Sequence, residues 1–130
     1  MANAQDLGKH LWKERILLLI SNGLEDAALR AQWRALQKEQ KELRKRDLVV
    51  YVLTDEGSFF LGVDGESEEP EPLDGVGRPE RYKDGVVLIG KDGTKKMERP
   101  FPVRPKDIFN LIDAMPMRRA EMNKNKQDEP

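Results

Sequence analysis

The sequence has no cysteine and a single histidine, His10, among its 130 residues. Without cysteine there is no disulfide, no thiolate nucleophile and no zinc site built on sulfur. One histidine excludes a multi-histidine metal centre. Charge of one sign is also lacking, since 23 basic residues face 24 acidic ones for a formal net charge of -1. That balance removes the electrostatic argument for nucleic acid or an anionic membrane as general partners. No apolar run approaches the ~20 residues needed to span a bilayer. What is present is 38% apolar and 36% charged residues, the composition of one small domain with a well-solvated surface.

Residues 1–10 are polar and read as a flexible N-terminal segment. Ala2-Asn3-Ala4 resembles the small-residue tail of a signal-peptidase site, yet no apolar region precedes it. An exported protein trimmed of its signal and an ordinary cytosolic start both remain open, with a periplasmic or secreted location slightly favoured. The lone histidine lies in this segment and reads as a tail residue rather than a catalytic base.

From Leu11 the chain reads as an ordered domain extending to Met122. Arg15 to Ile20 is apolar enough for a central strand, and Ser21-Asn22-Gly23 breaks it. One long helix is expected from about Glu25 to Arg44. Leu29, Trp33, Leu36 and Leu43 fall on its apolar stripe, with Gln40 as the polar member. Its remaining charges read as a solvated face with pairs such as Glu42 and Arg46. Asp47 to Thr54 is a second buried strand, and strand, helix, strand implies a parallel crossover. Trp12 and Trp33 read as packing residues.

No Lys or Arg occurs between Arg46 and Arg78, whereas residues 56–77 carry six well-spaced acids from Asp64 to Asp74. The spacing of a calcium loop is missing, so a long acidic surface loop is the favoured reading. Ser58 to Gly62 can add a short strand, and Pro79 fits the first turn of a brief helix ending near Tyr82. Val86 to Ile89 is a third apolar strand. Asp92-Gly93 gives a two-residue hairpin signal, and Thr94 to Arg99 returns antiparallel until Pro100 and Pro102 stop the ladder. Gly90 to Lys95 lacks the spacing of a phosphate loop. A closing helix starts near Pro105 with Ile108, Leu111, Ile112 and Met115 on one face, and Pro116 ends or kinks it. Residues 123–130 read as a disordered polar tail.

This order gives an α/β fold: a βαβ half and a ββα half around a mixed four-stranded sheet with helices on both faces, the layout of a thioredoxin-like domain. Four stretches then make the likeness specific: Leu11-Trp12 to Arg15, Arg46-Asp47 to Val50, Leu88 to Gly93, and Ile112 to Met122 with its Asp-Ala-Met-Pro-Met-Arg-Arg core. Together they resemble the bacterial domain-of-unknown-function family numbered four-one-seven-four. That family is similar to the thioredoxin-like domains of vertebrate extracellular sushi-repeat and coiled-coil-domain proteins. The resemblance implies thioredoxin or peroxiredoxin ancestry and, often, export, but no reaction and no cofactor. The turn where such ancestors carry a thiolate reads Asn22 to Ala27, without sulfur, and Asp84-Gly85 stands where a cis-proline is usual.

The best remaining site is the closing motif. Asp113 can pair with Arg118 or Arg119 across Pro116, leaving one guanidinium to take a carboxylate or phosphate. Met115, Met117 and Met122 flank it as adaptable apolar surface. Asp113, Met117, Arg118, Arg119 and Glu121 are thus candidate binding residues, with no catalytic or metal-ligating residue assigned. The alternative is that Met115 packs in the core and the charges cap a helix end. The first functional expectation is a non-enzymatic module for a protein partner. The second is an enzyme with a non-thiol mechanism using Asp113, Arg118, Arg119 and Glu121.

Overall fold

The computed structural model describes residues 12–62, 71–73 and 82–128. β1 (Arg15–Ile20) and β2 (Leu48–Thr54) are buried along their whole lengths, as continuous apolar runs require. They pair in parallel, Arg15 opposite Leu48 and Ile20 opposite Leu53, so the chain crosses over between them. β3 (Gly57–Gly62) and β4 (Glu71–Leu73) add antiparallel strands beyond β2. On the other side β5 (Gly85–Ile89) runs antiparallel to β1, and β6 (Lys95–Arg99) to β5. The sheet order is β4-β3-β2-β1-β5-β6.

The sheet therefore has six strands rather than four. Ser58 to Gly62 does form a strand, and Pro72 tolerates a place in β4 because an edge strand spares one side of the ladder. The remainder of the acidic stretch, including most of the candidate calcium loop, lies outside the described residues. So does nearly all of the brief helix expected at Pro79.

The crossover is broken in two. α1 (Ala27–Gln37) and α2 (Gln40–Lys45) replace the single helix, with Glu39 leaving helical geometry at φ -115 and ψ 35. Neither glycine nor proline marks this break. Leu29, Trp33, Leu36 and Leu43 still share one core across it. Asp26 caps α1 by accepting from the Ala28 N–H, and Ser21 Oγ donates to the other carboxylate oxygen at 2.6 Å. Asp92-Gly93 lies in a longer loop than a two-residue turn. Ile89 pairs with Lys95, Gly90–Thr94 forms the connection, and Gly93 supplies its left-handed φ of 82°.

α3 (Pro105–Asp113) starts on Pro105, and Arg104 makes no side-chain cap. Pro116 does not simply end the helical region; it starts α4 (Pro116–Asp128). Residues 123–128 are consequently helical, where a disordered tail was expected.

α1, α2 and α3 all contribute to the cluster on one sheet face, around Leu17, Leu19, Val50 and Leu88. Ile16, Leu18, Tyr51, Leu53 and Val87 form the second cluster, with Phe60 and Tyr82 against it. Among the described residues, the helices supply side chains to the first cluster alone.

Candidate functional site

At the end of the sheet where β1 begins, eight charged side chains meet. Arg15, first residue of β1, is 1% exposed and donates from Nη1 to the Arg46 carbonyl at 2.9 Å. Its guanidinium also reaches both Glu121 oxygens, at 3.4 and 3.2 Å. Lys91, from the β5–β6 loop, bridges Asp47 at 2.9 Å and Glu121 at 2.8 Å. Asp47 holds its place at the start of β2 with a left-handed φ of 52°, while its carbonyl accepts the Arg15 N–H.

Beside this group Arg46 grips Asp113 bidentately, at 3.0 and 2.7 Å, and also bonds Glu42 at 3.0 Å. The Arg46 guanidinium lies 4.6 Å from the Phe109 ring centre, so its flat face is covered by an aromatic. Arg118 donates to Asp113 at 3.2 Å and to the Lys45 carbonyl at 3.1 Å, and lies 3.5 Å from Glu121. Four cations thus face four carboxylates, and α4 is joined to α2, β1 and the β5–β6 loop through Arg118 and Glu121.

Burial pushes the Asp113 carboxyl upward, but hydrogen bonds from Arg46 and Arg118 outweigh it and hold the group below its usual range. The same balance holds at Glu121, where burial opposes the bonds from Lys91 and Arg15 and loses. The hydrogen bond from Arg46 keeps Glu42 ionised to lower pH. All three environments therefore favour carboxylates over carboxylic acids.

The expected partnership of Asp113 with Arg118 across Pro116 is present, and Arg119 is left exposed with no described side-chain partner. Arg118, by contrast, is 7% exposed and engaged on three sides. Met115 packs against the core while Met117 is 40% exposed. Glu121 joins the network through β1 and Lys91 rather than through the arginines of its own motif alone.

Arg15, Arg46, Asp47 and Lys91 were not singled out from the sequence as site residues. Arg15 and Glu121 lie 106 positions apart, and Arg46 and Asp113 lie 67 apart, so no local spacing joins them. The one local signal was a charge opening an otherwise apolar strand. Trp12, expected in the core, is instead 62% exposed with a left-handed φ of 67°. Its backbone N–H donates to the Lys91 carbonyl at 2.6 Å, which ties the approach to β1 to the same loop.

A cleft of about 230 Å³ opens beside the network. Arg15, Lys91, Lys96 and Asp92 form its polar side, and Met115, Pro116 and Met117 its apolar lip. Asp92 is pulled down to about 2, first by the backbone N–H of Thr94 and then by Lys96. At the opposite end of β1, the Asp26 side chain closes the Ser21–Asp26 turn and caps α1. No cluster able to hold a metal ion occurs among the described residues, and no helix among them is long and apolar enough to cross a membrane.

Comparison with curated proteins and with solved structures gives no match. The sequence profile described as "Domain of unknown function (DUF4174)" matches residues 6–121. The chain, which carries that profile over most of its length, belongs to the DUF4174 family.

Proposed function

We propose that this chain is a cysteine-free thioredoxin-like domain that acts as a non-enzymatic binding module for a protein partner, through the end of the sheet where β1 begins. The strand order β2-β1-β5-β6 supports the thioredoxin-like reading, with β1 and β2 parallel and the other neighbours antiparallel. The crossover helices and α3 complete the βαβ and ββα halves, and β3 with β4 is an addition at one edge. An exported location belongs to the same proposal.

One observation carries the binding reading. Asp113, Arg118 and Glu121 of the closing motif are engaged in ion pairs, and what stays accessible on it is the Met115–Met117 lip and, elsewhere on α4, exposed Arg119. General acid catalysis at neutral pH needs a carboxyl raised toward 7, and Asp113 and Glu121 are shifted the other way. A soft thioether lip next to a cation instead suits a polypeptide surface. Asp113, Met117, Arg118, Arg119 and Glu121 then divide into two roles. Met117 and Arg119 face the partner, and Asp113, Arg118 and Glu121 hold α4 in place.

Affinity capture with wild type, Met117→Glu and Arg119→Glu tests this, because both positions are exposed and circular dichroism checks that the variants fold. A protein retained by wild type and lost by both variants is the expected result. Equal retention by all three places any interface elsewhere and contradicts the proposal.

A further inference from the structure

We propose that the cleft at Lys91 recognises the free C-terminus of a partner polypeptide whose last side chain is apolar. This rests on the protein-binding reading and names the chemistry of the partner. At about 230 Å³ the cleft is smaller than the roughly 300–1,000 Å³ of sites that enclose a drug-sized ligand or cofactor. It has room for a group the size of one residue. Three of its charged lining residues are cations, Arg15, Lys91 and Lys96, which pair with Glu121, with Asp47 and Glu121, and with Asp92 respectively.

The cations retain hydrogen-bonding capacity. A lysine ammonium has three N–H donors and a guanidinium five. The described bonds of Lys91 Nζ go to Asp47 and Glu121, which accounts for two donors. Those of Arg15 account for three. Each residue thus has donors beyond its described bonds, and both line the cleft, Lys91 being 8% exposed and Arg15 1%. Glu121 already shows what these two cations accept, a carboxylate held by Lys91 at 2.8 Å and by Arg15 at 3.2 Å. Beside them Met115, Pro116 and Met117 offer an apolar wall to a neighbouring side chain.

A chain terminus fits this arrangement better than an internal acidic residue. An internal Asp or Glu brings two backbone continuations past the Lys96–Asp92 pair and the Met117 side chain. A terminus enters end-on, with one continuation, and carries its carboxylate and its last side chain on the same carbon. The charge then meets the remaining N–H donor of Lys91 as the apolar group meets the thioether lip.

The test is an amide-shift titration of the intact chain with two probes, an N-acetylated tripeptide ending in leucine with a free carboxylate and the same tripeptide as its C-terminal amide. The expected result is saturable shifts at Gly90, Lys91 and Met117 with the acid, and binding of the amide at least about tenfold weaker, the loss of one charge-assisted contact. Lys96→Gln, at a surface position, should weaken the acid probe and leave the amide unchanged. Equal binding of acid and amide, or no shifts with either, overturns the proposal. So does 4-methylpentanoate binding as tightly as the tripeptide, because the site would then be one for small acids. Loss of a captured partner on Met117→Glu together with indifference to the carboxylate would overturn this inference alone and leave the binding module standing.

Discussion

Arg15 places a guanidinium 1% exposed at the start of a strand whose other members are all apolar. Its charge is tolerated because a backbone carbonyl and a carboxylate satisfy it, and removing one member of such a group leaves an uncompensated charge behind. Arg15→Met should therefore cost about 3–5 kcal/mol in denaturant unfolding. Arg15→Met with Glu121→Leu should recover most of that loss, since Lys91 retains Asp47; a double variant as unstable as the sum of the singles would contradict the pairing. Gln32 is a second buried polar residue, 2% exposed, and its amide donates to the Val103 carbonyl and accepts from the Val103 N–H at 2.8 and 2.7 Å. It imitates one rung of a sheet and pins the segment that follows the cis bond at Phe101–Pro102. Gln32→Leu should cost about 2 kcal/mol and speed hydrogen exchange at Val103, whereas unchanged exchange would mean the rung is not made. Gln32 was legible only as an anomaly, three residues after Leu29 and four before Leu36, on the apolar stripe itself. Its partner 71 positions away was not legible, because a side-chain amide carries no mark of the backbone it will meet.

Among the elements, the strands followed from their continuous apolar runs, while the helices did not follow as simply. Propensity carries straight through Lys38 and Glu39, and nothing in that stretch of sequence marks the break between α1 and α2. α4 was foreseen only as one of two outcomes at Pro116, and its stretch beyond Met122 was read as a tail. Of its side chains described as buried there is Arg118 alone, so no apolar stripe announces it, and its attachment comes from ions. Folded Asp113 and Glu121 have lowered pKa values, so below the ordinary carboxylate range of about 4 the unfolded chain binds more protons. Their contribution is complete above that range and is lost as pH falls through the depressed folded values. In an acid titration the amides of residues 117–121 should change before those of Leu17 and Leu19 in the core. A single common midpoint would contradict attachment by ions, and Glu121→Gln should remove part of the acid dependence. Gly85 makes a separate demand at the start of β5. Its φ is +139° and an added Cβ would collide with the Arg99 carbonyl and the Pro100 Cα across the β5–β6 ladder. Gly85→Ala should lower stability by more than about 1 kcal/mol, read as a fall in the denaturant midpoint.

On the scale of the whole molecule, the two ends of β1 have different characters. Five residue steps, roughly 17 Å, separate them. The Ser21–Asp26 turn is closed by a helix cap. The Arg15 end gathers the charged network, the cleft, and the two large exposed hydrophobics among the described residues, since Trp12 is tied to Lys91 and Met117 forms the lip. The parallel crossover and the β5–β6 hairpin could be read from periodicity and turn residues, because each is set by neighbouring elements, whereas the pairing of β1 with β5 joins Ile16 to Ile89, 73 positions apart. The outer hairpin was only half visible, with β4 hidden in a run of acids and prolines. The site was legible as one motif, Asp113 to Glu121, and not as a network, because Arg15, Arg46, Asp47 and Lys91 reach it through the sheet. A photo-cross-linking side chain at position 117, compared with one at exposed Glu25 by the opposite turn, tests the account most directly. Cross-linking to a protein partner from 117 and none from 25 is the predicted outcome. Cross-linking from 25 and none from 117 would move the function to the Ser21–Asp26 end of the sheet and contradict the account.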